Sequence, residues 1–263
     1  MKLIHKAKEI KDKLTHRPVY VKVSYVGDRR QFAGKKALVI GGTSGIGLAI
    51  AKRLQKSGCE VVICGRKDPH ENLNFFPWDI SDIGNIRAMF KKITEKLEKV
   101  DLVINSQGLN PENDLKQEYM KIDQEDFESV FRVNVESVYF ICLAVYEYFK
   151  KENIQGHILN ICSTEGFRAG VVPYSISKAS TISLTKGFGR EFAKDGITVN
   201  GIAPGTTATK MIHADKDLAN STQFTGRMNT SEEVANLAVL LLGDAGSQMC
   251  GEVVTIDGAS LLR

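Results

Sequence analysis

Val39-Ile40-Gly41-Gly42-Thr43-Ser44-Gly45-Ile46-Gly47 closes a short apolar run, Ala37–Ile40, and opens a run of helical periodicity, Ile46–Lys56. That order, strand then glycine-rich turn then helix, sets the architecture expected downstream. A tight turn leaving a strand needs one glycine for the turn, another where backbone meets pyrophosphate and a third where helix packs on strand. A helix beginning there offers free N–H groups and the positive end of its dipole to phosphate. The stretch implies a dinucleotide cradle, with an ordinary βα turn as the bland alternative.

Outward from this turn, apolar runs suited to buried parallel strands recur at Val61–Cys64, Leu102–Asn105, His157–Ile161, Thr198–Ile202 and Val253–Ile256, with a weaker one at Leu73–Phe76. Helical patterns separate them at Ile83–Leu97, Glu125–Lys150, Tyr174–Ala193 and Ser231–Leu242. The alternation predicts an α/β, Rossmann-type doubly wound parallel sheet of about seven strands, with helices on both faces and ligands at the carboxyl ends of the strands. The 263 residues fit one large domain, 34–263, preceded by a basic arm, 1–33. In the arm, Leu3, Ala7, Ile10 and Leu14 predict a short amphipathic helix over 2–14. Val19, Val21, Val23 and Tyr25 alternate like a strand, and Gly27-Asp28 signals a turn.

Composition narrows the classes. The chain is 43% hydrophobic and 25% charged, which is globular. Its net charge of +4 comes from the arm, where nine Lys and Arg face three Asp and Glu, leaving the body at −2. That distribution predicts no nucleic-acid partner, since a basic stripe across a folded face is missing. No apolar run approaches a membrane span, and the N-terminus lacks the apolar core of a secretory signal. Five cysteines form no CxxC pair, predicting reduced, buried thiols in a cytoplasmic protein and no metal site.

Tyr174-Ser175-Ile176-Ser177-Lys178 sets a phenol and an ammonium one helical turn apart, on one face. A cation beside a phenol is expected to lower its pKa toward working pH, which suits proton transfer to or from an alkoxide. Eleven residues upstream, Ser163 ends the fifth strand, where it can polarise a carbonyl oxygen.

With the spacing Gly-x3-Gly-x-Gly and this YxxxK, the chain from Gly34 onward resembles the short-chain dehydrogenase/reductase family. The likeness is to its single-domain branch, of the 3-oxoacyl-carrier-protein reductase kind. Ile40 stands where that family's TGxxxGxG motif has threonine. The resemblance implies a catalytic set of Asn134, Ser163, Tyr174 and Lys178, with Asn134 holding a water in a proton relay and Lys178 also bonding the nicotinamide ribose. It implies cofactor contacts from Gly41, Thr43, Ser44, Gly45, Ile46 and Gly47, from Asp79 and Ile80 at the adenine, and from Asn105 and Gly108. Further contacts are implied for Pro204, Gly205, Thr207 and Thr209. Asn105-Ser106-Gln107-Gly108 departs from the family's NNAG, and Gln107 is bulkier than its alanine. Asn105 reads alternatively as a brace between strands, and Asn134 as a buried packing asparagine.

Gly65 takes the place where relatives that use NAD carry an acid, and Arg66 follows it. An arginine there accommodates a 2′-phosphate, so NADP(H) is expected over NAD(H), unless Arg66 and Lys67 are only solvated loop charges. The implied activity is reduction of a carbonyl to an alcohol, or the reverse, in a dimer or tetramer, on a small-molecule substrate. The alternative is an NADP-sensing protein with an idle site. The segment Ile212–Gly226 is expected to form a substrate lid. Its His213, Asp215, Lys216, Asp217, Asn220 and Gln223 favour a polar substrate, with His213 either a contact or a solvated residue.

Overall fold

The computed structural model describes residues 19, 20, 23, 30–111, 118–209, 211, 217–220 and 223–262. Seven strands, β1 (Lys36–Ile40), β2 (Glu60–Gly65), β3 (Asn74–Pro77), β4 (Leu102–Asn105), β5 (His157–Ile161), β6 (Thr198–Pro204) and β7 (Val253–Ile256), form one sheet in the order β3-β2-β1-β4-β5-β6-β7. Every pairing is parallel. Among the described residues the longer helices are α1 (Gly45–Lys56), α2 (Ile86–Leu97), α3 (Gln124–Phe131), α4 (Ser137–Lys151), α5 (Pro173–Phe192) and α6 (Ser231–Leu242).

Side chains alternate across a strand, so each strand feeds both faces. Leu38, Ile40, Val62, Val103 and Val199 pack with residues of α2, α4 and α5. Ala37, Val39, Val61, Ile63, Ile104 and Ile202 pack with α1 and α6. Strand order reverses between β1 and β4, so the turns that leave these neighbouring strands diverge and open a crevice at their carboxyl ends.

The predicted helix over 125–150 is interrupted. A π-helical turn, Arg132–Glu136, joins α3 to α4 and carries Asn134. The wider turn changes the carbonyl pairing locally, and the Thr181 hydroxyl of α5 donates to the Asn134 carbonyl at 3.1 Å. Residues 124–151 together are long and apolar enough to cross a membrane by length and composition, which corrects the expectation that no apolar run approaches a span. Here Val138, Ile141, Val145 and Phe149 fill the core.

At α6 the cap is Thr230. Thr230 Oγ1 accepts from the Glu233 amide at 3.1 Å while Glu233 Oε2 accepts from the Thr230 amide at 2.9 Å, a capping box whose T-x-x-E spacing begins one residue before the helix. The predicted helix over 83–97 begins with a 3-10 turn, Ile83–Asn85, and β3 lies one residue beyond its expected run. The predicted helix over 2–14 and the turn at Gly27-Asp28 lie outside the described residues. Of the predicted arm strand, Val19, Tyr20 and Val23 are described and belong to no named strand. Phe32, on the arm side of Gly34, is buried in the core beneath α1 and α6, its amide donating to the Ser57 carbonyl at 2.9 Å.

Candidate active site

A cavity of about 640 Å³ lies at the carboxyl ends of the strands. Its floor is the turn after β1: Gly41, Thr43, Ser44, Gly45, Ile46 and Gly47 all line it. Gly41 has φ +74° and lies against the turn after β4, where an added Cβ would come 2.6 Å from the Gln107 nitrogen. A Cβ on Gly47 would come 2.3 Å from the Gly41 carbonyl oxygen, so α1 can approach the turn only with glycine there. Ser44 caps α1 with extended backbone and makes no side-chain capping bond. Thr209 reaches over this floor, its Cγ2 3.4 Å from where a Gly45 Cβ would lie.

At the end of β2 the cavity is bounded by Gly65, Arg66, Trp78, Asp79 and Ile80. A Cβ on Gly65 would come 2.6 Å from Thr43 Cγ2, so a larger residue enters only if Thr43 turns away. Asp79 accepts from the Ser81 hydroxyl at 2.7 Å and the Ser81 amide at 3.0 Å; these bonds, then the nearby Arg66, hold its carboxyl below the usual range. The buried Trp78 Nε1 has no protein partner among the described residues. Lys67 does not line the cavity.

Ser163, Tyr174 and Lys178 line the cavity as well. Ser163 follows β5 and caps a 3-10 turn, Thr164–Phe167, accepting from the Glu165 amide at 3.2 Å. This turn packs directly on α5, since a Cβ on Gly166 would come 2.6 Å from the Lys178 carbonyl carbon. Pro173 starts α5, Tyr174 follows, and Lys178 sits one turn on. Lys178 Nζ donates to the Ile161 carbonyl at 2.9 Å and lies 5.7 Å from the Tyr174 ring centroid.

The expected lowering of the Tyr174 pKa by Lys178 is not what this arrangement produces. Burial outweighs a hydrogen bond with Ser163 and raises the phenol to about 12. The same burial lowers the Lys178 ammonium. Tyr174 is therefore a protonated donor at neutral pH, and Ser163 is its hydrogen-bonded neighbour.

Two sequence-predicted site residues do not line the cavity. Asn105 points within the sheet, its Nδ2 donating to Asn160 Oδ1 at 2.8 Å, so it braces β4 to β5. Asn134 is buried and its amide is taken by protein: Oδ1 accepts from the Leu109 amide at 2.8 Å, and Nδ2 donates to the Leu109 carbonyl and Ser177 Oγ, both at 3.0 Å. It pins the segment after β4 to α5. Gly108 does line the cavity, 3.8 Å separating an added Cβ from Lys178 Nζ. Gln107 is accommodated by turning its Nε2 to Ser137 Oγ at 3.0 Å.

Pro204, Gly205, Thr207 and Thr209 complete the lining on the β6 side, with Met211 beyond them. Of the expected lid, His213, Asp215 and Lys216 lie outside the described residues. Gln223 is buried and donates to the Thr206 carbonyl at 3.0 Å. The structure adds Asn110, Glu165, Arg168 and Ser260 to the same cavity. Arg168 Nη2 donates to the Ser260 carbonyl at 2.7 Å, joining the loop after β5 to the C-terminal turn. Glu165 and Arg168 were legible as charges between Ser163 and Tyr174, whereas nothing local marks Ser260. Among the described residues no cluster has a metal-binding set, and all five cysteines are free.

A family model described as enoyl-(acyl carrier protein) reductase matches residues 40–259. The chain is 31% identical over 243 residues to the 3-oxoacyl-(acyl-carrier-protein) reductase FabG of Chlamydia pneumoniae, covering 86% of this chain and 96% of that one. It is 29% identical to the 2-dehydro-3-deoxy-D-gluconate 5-dehydrogenase of Dickeya dadantii, with 88% and 96% covered. A short chain dehydrogenase from Burkholderia cenocepacia, solved in complex with NADP, superposes with a TM-score of 0.78 at 28% identity, covering 88% of this chain and 99% of that one.

Proposed function

The chain belongs to the short-chain dehydrogenase/reductase family, and from that premise we propose that it reduces a polar carbonyl compound to an alcohol with NADPH, or runs the reverse with NADP. The carrying observation is that Ser163, a protonated Tyr174 and Lys178 line one wall of the cavity whose floor is the glycine turn.

The residues present fit the cofactor. Gly41 and Gly47 allow the close backbone approach that a pyrophosphate needs, and the uncapped start of α1 offers amides to it. Gly65, closed to a larger residue by Thr43, leaves no carboxylate to repel a 2′-phosphate, and Arg66 lines the cavity beside it. Asp79 and Ile80 border the adenine end, and Trp78 leaves a buried donor without a protein partner. Thr207 and Thr209 line the cavity on the β6 side. When bound, NADPH supplies the hydride that adds to the carbonyl carbon.

The chain's own groups handle the oxygen. Ser163 donates a hydrogen bond to it, and Tyr174 transfers the phenolic proton as charge develops there. Lys178, buried beside the ring, offsets the phenolate that results. Asn134 acts at one remove, holding Leu109 in the cavity wall. Glu165, Arg168 and Asn110, whose buried Oδ1 has no partner among the described residues, supply polar contacts suited to a hydroxylated or acidic substrate. The gluconate-derived substrate named for one relative is in keeping with that class. A cytoplasmic location and assembly into a dimer or tetramer belong to the same proposal. The free thiols support the first, and the exposed aromatics Phe127 and Tyr139 on α3 and α4 support the second.

The test is NADPH oxidation against a panel of oxo acids and keto sugars, with Tyr174→Phe beside the wild type. The variant is expected to bind NADPH normally and to lose activity by about 10²-fold or more. Undiminished reduction by the variant would overturn the assignment.

A further inference from the structure

Val19, far outside the matched region in sequence, is hydrogen-bonded to the loop between β6 and α6. Its amide donates to Asp217 Oδ1 at 3.0 Å, and its carbonyl accepts from the Leu218 amide at 3.1 Å. Asp217 Oδ1 also accepts from the Ala219 amide at 3.0 Å, so one carboxylate oxygen joins the two segments.

The bonding continues inward without a break. The Met228 amide donates to the Leu218 carbonyl at 2.7 Å, and Ala219 forms an antiparallel bridge with Arg227. Next, the Asn229 amide donates to the Thr206 carbonyl and the Ala208 amide to the Asn229 carbonyl, each at 2.9 Å. Thr206, Thr207 and Thr209 line the cavity. Leu218 and Met228 are buried beneath this ladder. The far end is fixed to the body: Asn229 Nδ2 donates to the Ile256 carbonyl at 2.6 Å, and Arg227 forks onto Glu233 at 2.7 and 2.9 Å. The outer edge of the ladder at Leu218 is held by Val19.

We infer that the segment at Val19 is a positioning segment for the active site: through Asp217 and Leu218 it holds the ladder that sets Thr206–Thr209 against the cofactor cavity. The inference rests on the function proposed above. It assigns a task to the arm, which the sequence leaves as a basic appendage. Neither Val19 nor Asp217 lines the cavity; they act through the ladder. A strand that loses an edge partner frays more often, and the residues it aligns spend less time in place.

Two substitutions in the full chain test this. Val19→Pro removes the amide donor, and Asp217→Ala removes its acceptor; Asp217→Asn keeps an acceptor oxygen and serves as the rescue. Hydrogen exchange in peptides covering 217–229 is expected to quicken about fivefold in the first two variants, the worth of one such bond, with β4 peptides unchanged. The NADPH Kd and the carbonyl KM are expected to rise by a similar factor, with kcat changed less, and Asp217→Asn is expected to stay near wild type. Unchanged exchange, or faster exchange with Kd and KM within about twofold of wild type, overturns the inference. If the variants unfold, the wild type decides: bound NADPH must slow exchange in the peptide containing Val19, because coupling between two sites is reciprocal. No slowing there overturns the inference as well. A wild-type enzyme that fails to bind NADPH refutes the proposed function instead, and exchange in the variants still reports whether the clasp exists.

Discussion

Gly47→Ala puts the glycine floor under direct strain. The new Cβ would lie 2.3 Å from the Gly41 carbonyl oxygen and 3.0 Å from both the Gly41 carbonyl carbon and Ser106 Oγ. An ordinary carbon–oxygen contact is about 1 Å longer than the first of these. The Gly41 carbonyl has little room to swing. The amides of Gly41 and Gly42 are tied to the Cys64 carbonyl at 3.1 and 3.2 Å, and the Cα of Gly41 lies against the Gln107 backbone. The start of α1 must therefore back away from the turn. Overpacking of this kind costs about 1–3 kcal/mol. Stability should fall by that amount, lowering Tm by about 2–4 °C for each kcal/mol. The displaced amides are the ones offered to the pyrophosphate, so the NADPH Kd should rise about tenfold or more, as 1.4 kcal/mol corresponds to a factor of ten. Fluorescence titration with NADPH and a thermal melt read both quantities. Gly34→Ala is the control: Gly34 has φ +77° and nothing within 4 Å of its added Cβ. It should lower Tm through backbone strain, about 1–2 kcal/mol, and leave the Kd alone. Wild-type affinity in Gly47→Ala would refute the cradle assigned to this turn.

The charge at Arg66 and the half-buried His157 give two further expectations. Arg66→Ala should weaken NADPH binding by about tenfold, the low end for a charge-assisted bond because the residue is exposed, and leave NADH within about twofold; equal losses in paired titrations would exclude a 2′-phosphate contact. His157 is half-buried with Nδ1 2.7 Å from Thr198 Oγ1, and desolvation holds its pKa below the usual value. The unfolded chain takes up a proton near pH 6.5 that the folded chain takes up only at lower pH. This share of stability is present above pH ~6.5 and is lost as pH falls through the folded pKa. Melting curves from pH 8 to 5 should show the decline, and His157→Gln should flatten it.

Much of the architecture is legible because its causes are local. Buried parallel strands need continuous apolar runs, and those at Leu102–Asn105, His157–Ile161 and Val253–Ile256 coincide with β4, β5 and β7. The capping box at Thr230 was also legible, in the T-x-x-E spacing to Glu233. The π turn at Arg132–Glu136 was not, since the periodicity on either side of it is that of an ordinary helix. Its stability draws on Thr181, 47 positions away in the chain. Asn105 and Asn134 match a motif by position, yet their amides bond Asn160, Leu109 and Ser177, and only the packed structure shows which way an amide faces.

The sequence by itself determined the alternation of strand and helix, the glycine turn after β1, and a phenol and an ammonium one turn apart on α5. Each of these is a relation among neighbours within a few residues. Tertiary structure decided what depends on distant segments meeting. It carried Ser260 and Arg168 to one wall and paired Val19 with Asp217. It also packed the half-buried Tyr174 so that desolvation raises its phenol, against the expectation from its lysine neighbour. Desolvation is set by everything packed around a group, and no stretch of sequence contains that sum.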